Sequence, residues 1–145
     1  MLHGLDIDTK ATAENARQFL AHDLDKYLAL AGEQRDGLKS PTITGMPKAK
    51  PAGNSTEDSY IRVITATAIV DCVKRAIANC SQRSREILTL CYLDSLADWK
   101  IAQRMNYSFS RYKDLKRQAL CEFAGRYLYQ ATSAGIDDGD LNVYK

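Results

Sequence analysis

Between Lys100 and Arg117 the chain gathers the groups that contact with duplex DNA requires. Ammonium and guanidinium groups neutralise phosphates, and short polar or charged side chains near the start of a helix reach base edges in the major groove. Lys100, Ser108, Phe109, Ser110, Arg111, Lys113, Asp114, Lys116 and Arg117 are the candidate DNA-binding residues. Ser110, Lys113 and Asp114 suit base reading, because helical spacing puts them on a face opposite Tyr112 and Leu115. Lys116 and Arg117, about a turn further on, suit phosphate contacts that set affinity without selecting sequence.

Elsewhere the residues that usually do chemistry are scattered. His3 and His22 are isolated, and Cys72, Cys80, Cys91 and Cys121 are too widely spaced for a zinc site. All four cysteines sit in apolar helical contexts and are expected to be reduced residues of the core. There is no Gly-rich phosphate loop, no nucleophile elbow and no metal-ligand cluster, so neither an enzyme nor a cofactor is expected. The acidic run Asp137-Asp138-Gly139-Asp140 lacks the further ligands and terminal Glu of a calcium loop, and is expected to be a solvated, mobile end.

Charge is unevenly divided. Residues 1–58 carry 7 basic and 9 acidic side chains, whereas residues 81–130 carry 9 basic and 5 acidic, within a formal net charge of +2. A locally cationic segment in a near-neutral protein suits a phosphate-facing surface. At 145 residues the chain fits one domain, or a small core with an appended segment. No apolar run approaches the ~20 residues that span a bilayer, and the first residues lack the pattern of a secretion signal, so the cytoplasm is the expected compartment.

The elements that must position this segment are all helical. Ala13, Ala16, Leu20, Leu24, Tyr27, Leu28 and Ala31 recur at three- and four-residue intervals, which predicts a helix over 12–31 with Gly32 as its stop. That helix offers more apolar surface than a domain of this size is expected to bury, which suggests a dimer. Pro41, Pro47 and Pro51, with Gly37, Gly45 and Gly53, exclude helix from 32–54 and predict a linker or arm. Asn54, Ser55 and Thr56 offer caps, and Glu57 and Asp58 favour a helix start; the next helix runs to about Asn79 despite the β-branched pair Ile69 and Val70. Ser81 can cap a further helix carrying Ile87, Leu88, Cys91 and Tyr92.

From Ala97 the pattern reads as short helix, tight turn, second helix, which is the grammar of a helix-turn-helix. Ala102 supplies the small residue where two helices approach, Ile101 and Met105 face inward, Asn106 tolerates a left-handed turn, and Ser108 can cap the second helix. In that helix Tyr112, Leu115 and Ala119 fall on one side and pack inward. Trp99 is expected to be a buried anchor, the commoner role of a tryptophan. The fold expected is therefore all-α: an N-terminal helix and Pro/Gly-containing arm over 1–54, then a helical domain over 55–145 with a helix-turn-helix at about 81–130 and an acidic tail.

Residues 81–120 resemble the fourth region of sigma-70-type factors: Ser84 to Tyr92 takes the place of that region's first helix, and Ile101-Ala102 and Ser108 match its inner motif. Where that family opens its recognition helix with Arg-Glu-Arg, this chain has Phe109, Ser110 and Arg111, so its promoter specificity does not carry over. A longer resemblance, from about residue 12 to 127, is to the ArpU-type phage late transcriptional regulators. It rests on Ser40-Pro41 with Gly45-Met46-Pro47, Asn54 with Glu57-Asp58, and the run Trp99, Ile101-Ala102, Tyr107-Ser108, Ser110, Tyr112, Lys116, Ala119-Leu120, Phe123-Ala124. The resemblance implies activation of late packaging, structural or lysis genes of a phage or prophage. Duplex DNA is then the expected partner, with host RNA polymerase and a second copy of the chain as further candidates and no membrane. Two alternatives from other classes are a small-terminase-like packaging component, which would form large rings, and a sigma mimic acting through RNA polymerase, which would not bind duplex DNA alone.

Overall fold

The computed structural model describes residues 6–39 and 56–145. The expected Ser40-Pro41 and Gly45-Met46-Pro47 arm, and the capping residues Asn54 and Ser55, lie outside the described residues. The fold is all-α. Its helices are α1 (Thr9–Gln18), α2 (Leu24–Ala31), α3 (Glu57–Ala78), α4 (Gln82–Leu88), α5 (Asp98–Arg104) and α6 (Phe109–Ser133). Among the described residues the only extended pairing is an isolated antiparallel bridge between Ile7 and Tyr144. No described helix is long and apolar enough to cross a membrane.

Local signals set most helix ends. Asp8 caps α1 by accepting from the Ala11 amide at 3.1 Å, so that helix starts three residues earlier than its apolar spacing predicts. Thr56 caps α3, accepting from the Ser59 amide at 3.1 Å. Three helices close with paired backbone bonds around a left-handed residue. At the end of α2, Gly32 has φ 71° and the Glu33 amide donates to Leu28 O at 2.9 Å. After α6, Gly135 plays the same part at φ 74°, with the Ile136 amide donating to Ala131 O. After α5 the residue is Asn106.

Two five-residue π turns interrupt the helical runs, Phe19–Asp23 between α1 and α2 and Thr89–Leu93 after α4. A π turn leaves backbone carbonyls without their usual partners, and such turns persist where another group takes them up. Arg35 serves both turns: its guanidinium donates to Tyr92 O at 2.9 Å and Ala21 O at 3.4 Å while gripping Asp25 at 2.8 Å. Arg35 belongs to a 3-10 turn, Arg35–Lys39, inside the stretch from which helix was excluded. The prolines lie beyond it, and Leu38 anchors it in the core at 4% exposure.

One hydrophobic cluster draws on every helix, including Leu20 of the first π turn, Leu24 of α2, Val73 of α3, Ile87 of α4, Ile101 of α5 and Phe123 of α6. Residues on both sides of the boundary suggested near 54 share this core. The apolar face of α1 and α2 is covered within the chain, by α6 and α3 respectively. Of the face that suggested a dimer, Ala16, Leu20 and Leu24 are fully buried within the chain, whereas Tyr27 and Ala31 are half-buried. The β-branched pair Ile69 and Val70 lies in the middle of α3, where tertiary burial outweighs local strand preference.

The acidic tail departs from expectation. It is not a free end but runs back along α1. The Asp8 amide donates to Val143 O at 2.7 Å, the Lys145 amide to Asp6 O at 3.0 Å, and the Val143 amide to Thr12 Oγ1 at 2.9 Å. Asp140, in the calcium-like run, accepts from the Asn142 amide and the Tyr144 hydroxyl, and so folds the tail upon itself.

Candidate nucleic-acid interface

The turn between α5 and α6 forms as its residue types require. Asn106 sits at φ 62°, its amide donates to Gln103 O at 3.2 Å, and the Tyr107 amide donates to Ala102 O at 2.9 Å. Ser108 then caps α6 by accepting from the Arg111 amide at 3.1 Å. Ala102 is 4% exposed and Ile101 fully buried beneath the turn, and Met105 packs against the same core. These contacts fix where the first turns of α6 start and which way they face.

α6 buries Tyr112, Leu115 and Ala119. Ser108, Phe109, Ser110, Arg111, Lys113, Asp114 and Arg117 are exposed, as is Lys100 on α5. Eight of the nine candidate residues therefore lie on the outer surface of one helical pair. Arg117 approaches Asp114 at 3.4 Å, an exposed pair one turn apart.

Lys116 differs from the others. It is 17% exposed, and its ammonium donates to Asp98 Oδ1 at 3.0 Å while lying 5.5 Å from the centre of the Tyr92 ring. The same carboxylate oxygen accepts from the Tyr112 hydroxyl at 2.8 Å. Asp98 thus ties α5 to α6 through two donors. Burial would raise its pKa, but the hydrogen bonds from Tyr112 and Lys116 outweigh burial and hold it below the usual carboxylate range. Burial, then the bond to Asp98, pushes the Tyr112 phenol well above its ordinary value, so it stays a donor. Sequence spacing does not reveal that Asp98 pairs with Tyr112, since the two are fourteen residues apart.

A second carboxylate joins α6 to the scaffold helix. Glu122 accepts from the Ser81 amide, from Ser81 Oγ at 3.1 Å and from Ser84 Oγ at 2.7 Å. Ser81 does begin α4, but its hydroxyl is turned to Glu122 and makes no capping bond. Of the four cysteines, Cys72 and Cys80 are buried, Cys91 and Cys121 are half-buried, and all are free thiols. Burial pushes the Cys80 thiol up to about 12, far from a reactive thiolate.

Trp99 overturns the expectation of a buried anchor. It is 60% exposed, because the inward face of α5 is built from Ile101 and Ala102, with Asp98 rather than Trp99 in line with them one turn earlier. Phe109 is likewise 49% exposed.

A protein of Enterococcus hirae named "Putative autolysin regulatory protein ArpU" is 36% identical to this chain over 124 residues, covering 84% of this chain and 90% of that protein. No family model matches the chain, and no solved structure does.

Proposed function

The chain belongs to the ArpU family, and from that premise we propose that it is a sequence-specific, double-stranded-DNA-binding transcription regulator without catalytic activity. In this reading α5, the Asn106 turn and α6 form a helix-turn-helix, and the first turns of α6 enter the major groove. The observation that carries it is the division of α6 at its start. Tyr112 and Leu115 lock one side to the scaffold, while Ser110, Lys113, Asp114 and Arg117 stand exposed on the other beside a cap that fixes their direction. The cationic balance of residues 81–130 supports a polyanionic partner.

The target genes are late phage or prophage genes, lysis functions among them, and the protein activates them with host RNA polymerase in the bacterial cytoplasm. The name of the Enterococcus hirae relative, an autolysin regulatory protein, supports a target of the lysis kind. A footprint of the purified protein on DNA upstream of its element's late genes should protect a discrete site. Anisotropy with a labelled duplex should show affinity falling steeply as salt rises. Binding that was absent at low salt, or flat across salt concentrations, would remove the reading.

A further inference from the structure

Trp99 is the chain's one tryptophan, and it stands 60% exposed in the first turn of α5. Phe109, the first residue of α6, is also half exposed. The two helix starts are held together beneath these rings: Asp98, next to Trp99, accepts from Tyr112, whose ring centre lies 6.3 Å from that of Phe109. Each exposed ring carries an ammonium group. Lys100 Nζ is 5.5 Å from the centre of the Trp99 ring, and Lys113 Nζ is 5.7 Å from that of Phe109. Among the described residues neither lysine pairs with a carboxylate, whereas Lys116 and Arg117 both do. Asp98, the acid nearest Lys100 in sequence, is engaged by Tyr112 and Lys116, and Asp114, next to Lys113, is paired with Arg117.

Large rings left in water beside unneutralised cations mark a contact surface with a polyanion, since an apolar partner would gain the rings but strand the charges. We propose that Trp99 is a DNA-backbone contact: its indole packs on a deoxyribose with the ring N–H directed to a phosphate, and Lys100 neutralises that phosphate beside it. This rests on the DNA-binding reading above, and adds an aromatic contact beside Lys100 at the start of α5. Trp99 would set position and affinity, not sequence choice, because every nucleotide presents the same sugar and phosphate.

Because there is a single tryptophan, its emission reports this one place. The free protein should show the red emission of a water-exposed indole. Titration with the footprinted duplex should shift or quench that emission in step with the anisotropy of the labelled DNA. Trp99→Ala should weaken the footprinted and a random duplex by the same factor, about tenfold, without changing the salt slope, since no charge is removed. Trp99→Phe should restore most of the affinity, and both variants should melt like the parent. If the duplex bound with no change in emission and Trp99→Ala bound like the parent, Trp99 would face something other than DNA, such as an acidic protein surface, and this proposal would fall while the DNA reading stood. A loss confined to the footprinted duplex would overturn the backbone role. If no duplex bound the parent chain, both readings would fall together. Should Trp99→Ala melt early, the emission of the parent decides alone.

Discussion

The two halves of α6 are one continuous helix put to different uses. Over residues 109–117 only Tyr112 and Leu115 are buried and Lys116 is half-buried; further along, Leu120, Phe123, Ala124, Tyr127 and Ala131 all disappear into the core. The second half is enclosed from several directions. Phe19 of the first π turn lies 4.9 Å from Tyr127 and 6.2 Å from Phe123, ring centre to ring centre, and Gly139 of the tail is packed on Ala131 and Tyr127. The first half is held mainly along the Asp98 edge. A hydrophobic stripe alone does not separate a structural helix from a reading one; what separates them is how many sides the rest of the fold covers.

The sharpest way to break this contrast is at its buried end. Phe123→Ala removes a fully buried ring that packs on Phe19 and Tyr127 and should cost about 3–5 kcal/mol of stability, seen as a large fall in the thermal midpoint. DNA binding by this variant should be lost with the fold and return on cooling. A variant that melted like the parent would show that the second half is not the structural anchor.

Gly139→Ala tests whether the tail is part of that enclosure. A Cβ at this position would lie 2.4 Å from the Cβ of Ala131, an atom fixed on α6, so either the tail or the helix must move. The expected cost is about 1–3 kcal/mol, with faster proteolysis of the last residues. No change in either measurement would return the tail to the status of a free end.

On the exposed half, Lys113→Ala should leave the melting curve unchanged and cost about 1–3 kcal/mol on the specific site, with a smaller loss on random DNA. Equal losses on both would mean that this face does not read bases.

What was legible in the sequence follows the same division. Gly32, Asn106 and Ser108 announce themselves, because a left-handed turn or an unfilled cap admits few residue types and acts over three or four positions. The buried stripe of α6 was equally readable from spacing. The π turns, the return of the tail along α1 and the exposure of Trp99 were not, because each is decided by residues far away: Arg35 reaching Tyr92 O, Thr12 receiving Val143, and Asp98 engaged by Tyr112 and Lys116. One signal for Trp99 did exist. Counting back three and four residues from Ile101 and Ala102 gives Asp98 as the common inward position and leaves Trp99 beside it.

Lys116 and Arg117 are neighbours in sequence that looked equivalent as phosphate contacts, and they provide the finest test of the two-sided helix. Arg117 is half exposed and paired only with exposed Asp114, a link worth at most about 1 kcal/mol, so its charge is available to a phosphate. Lys116 is turned inward onto Asp98 and the Tyr92 ring, and withdrawing it would leave that carboxylate with one donor fewer. Arg117→Ala should therefore shallow the salt slope of DNA binding by about one unit and leave the melting midpoint in place. Lys116→Met, which keeps the length of the side chain, should do the reverse, lowering the midpoint at neutral pH while leaving the slope close to the parent's. That destabilisation should shrink in acid, because the Asp98 pKa is depressed in the fold: the carboxylate's contribution is complete above its unfolded value near 3.8 and is lost as pH falls through the lower folded value. If Lys116→Met shallowed the slope as much as Arg117→Ala, the ammonium would be leaving Asp98 for a phosphate on binding, and the inner and outer sides of this helix would not be separate.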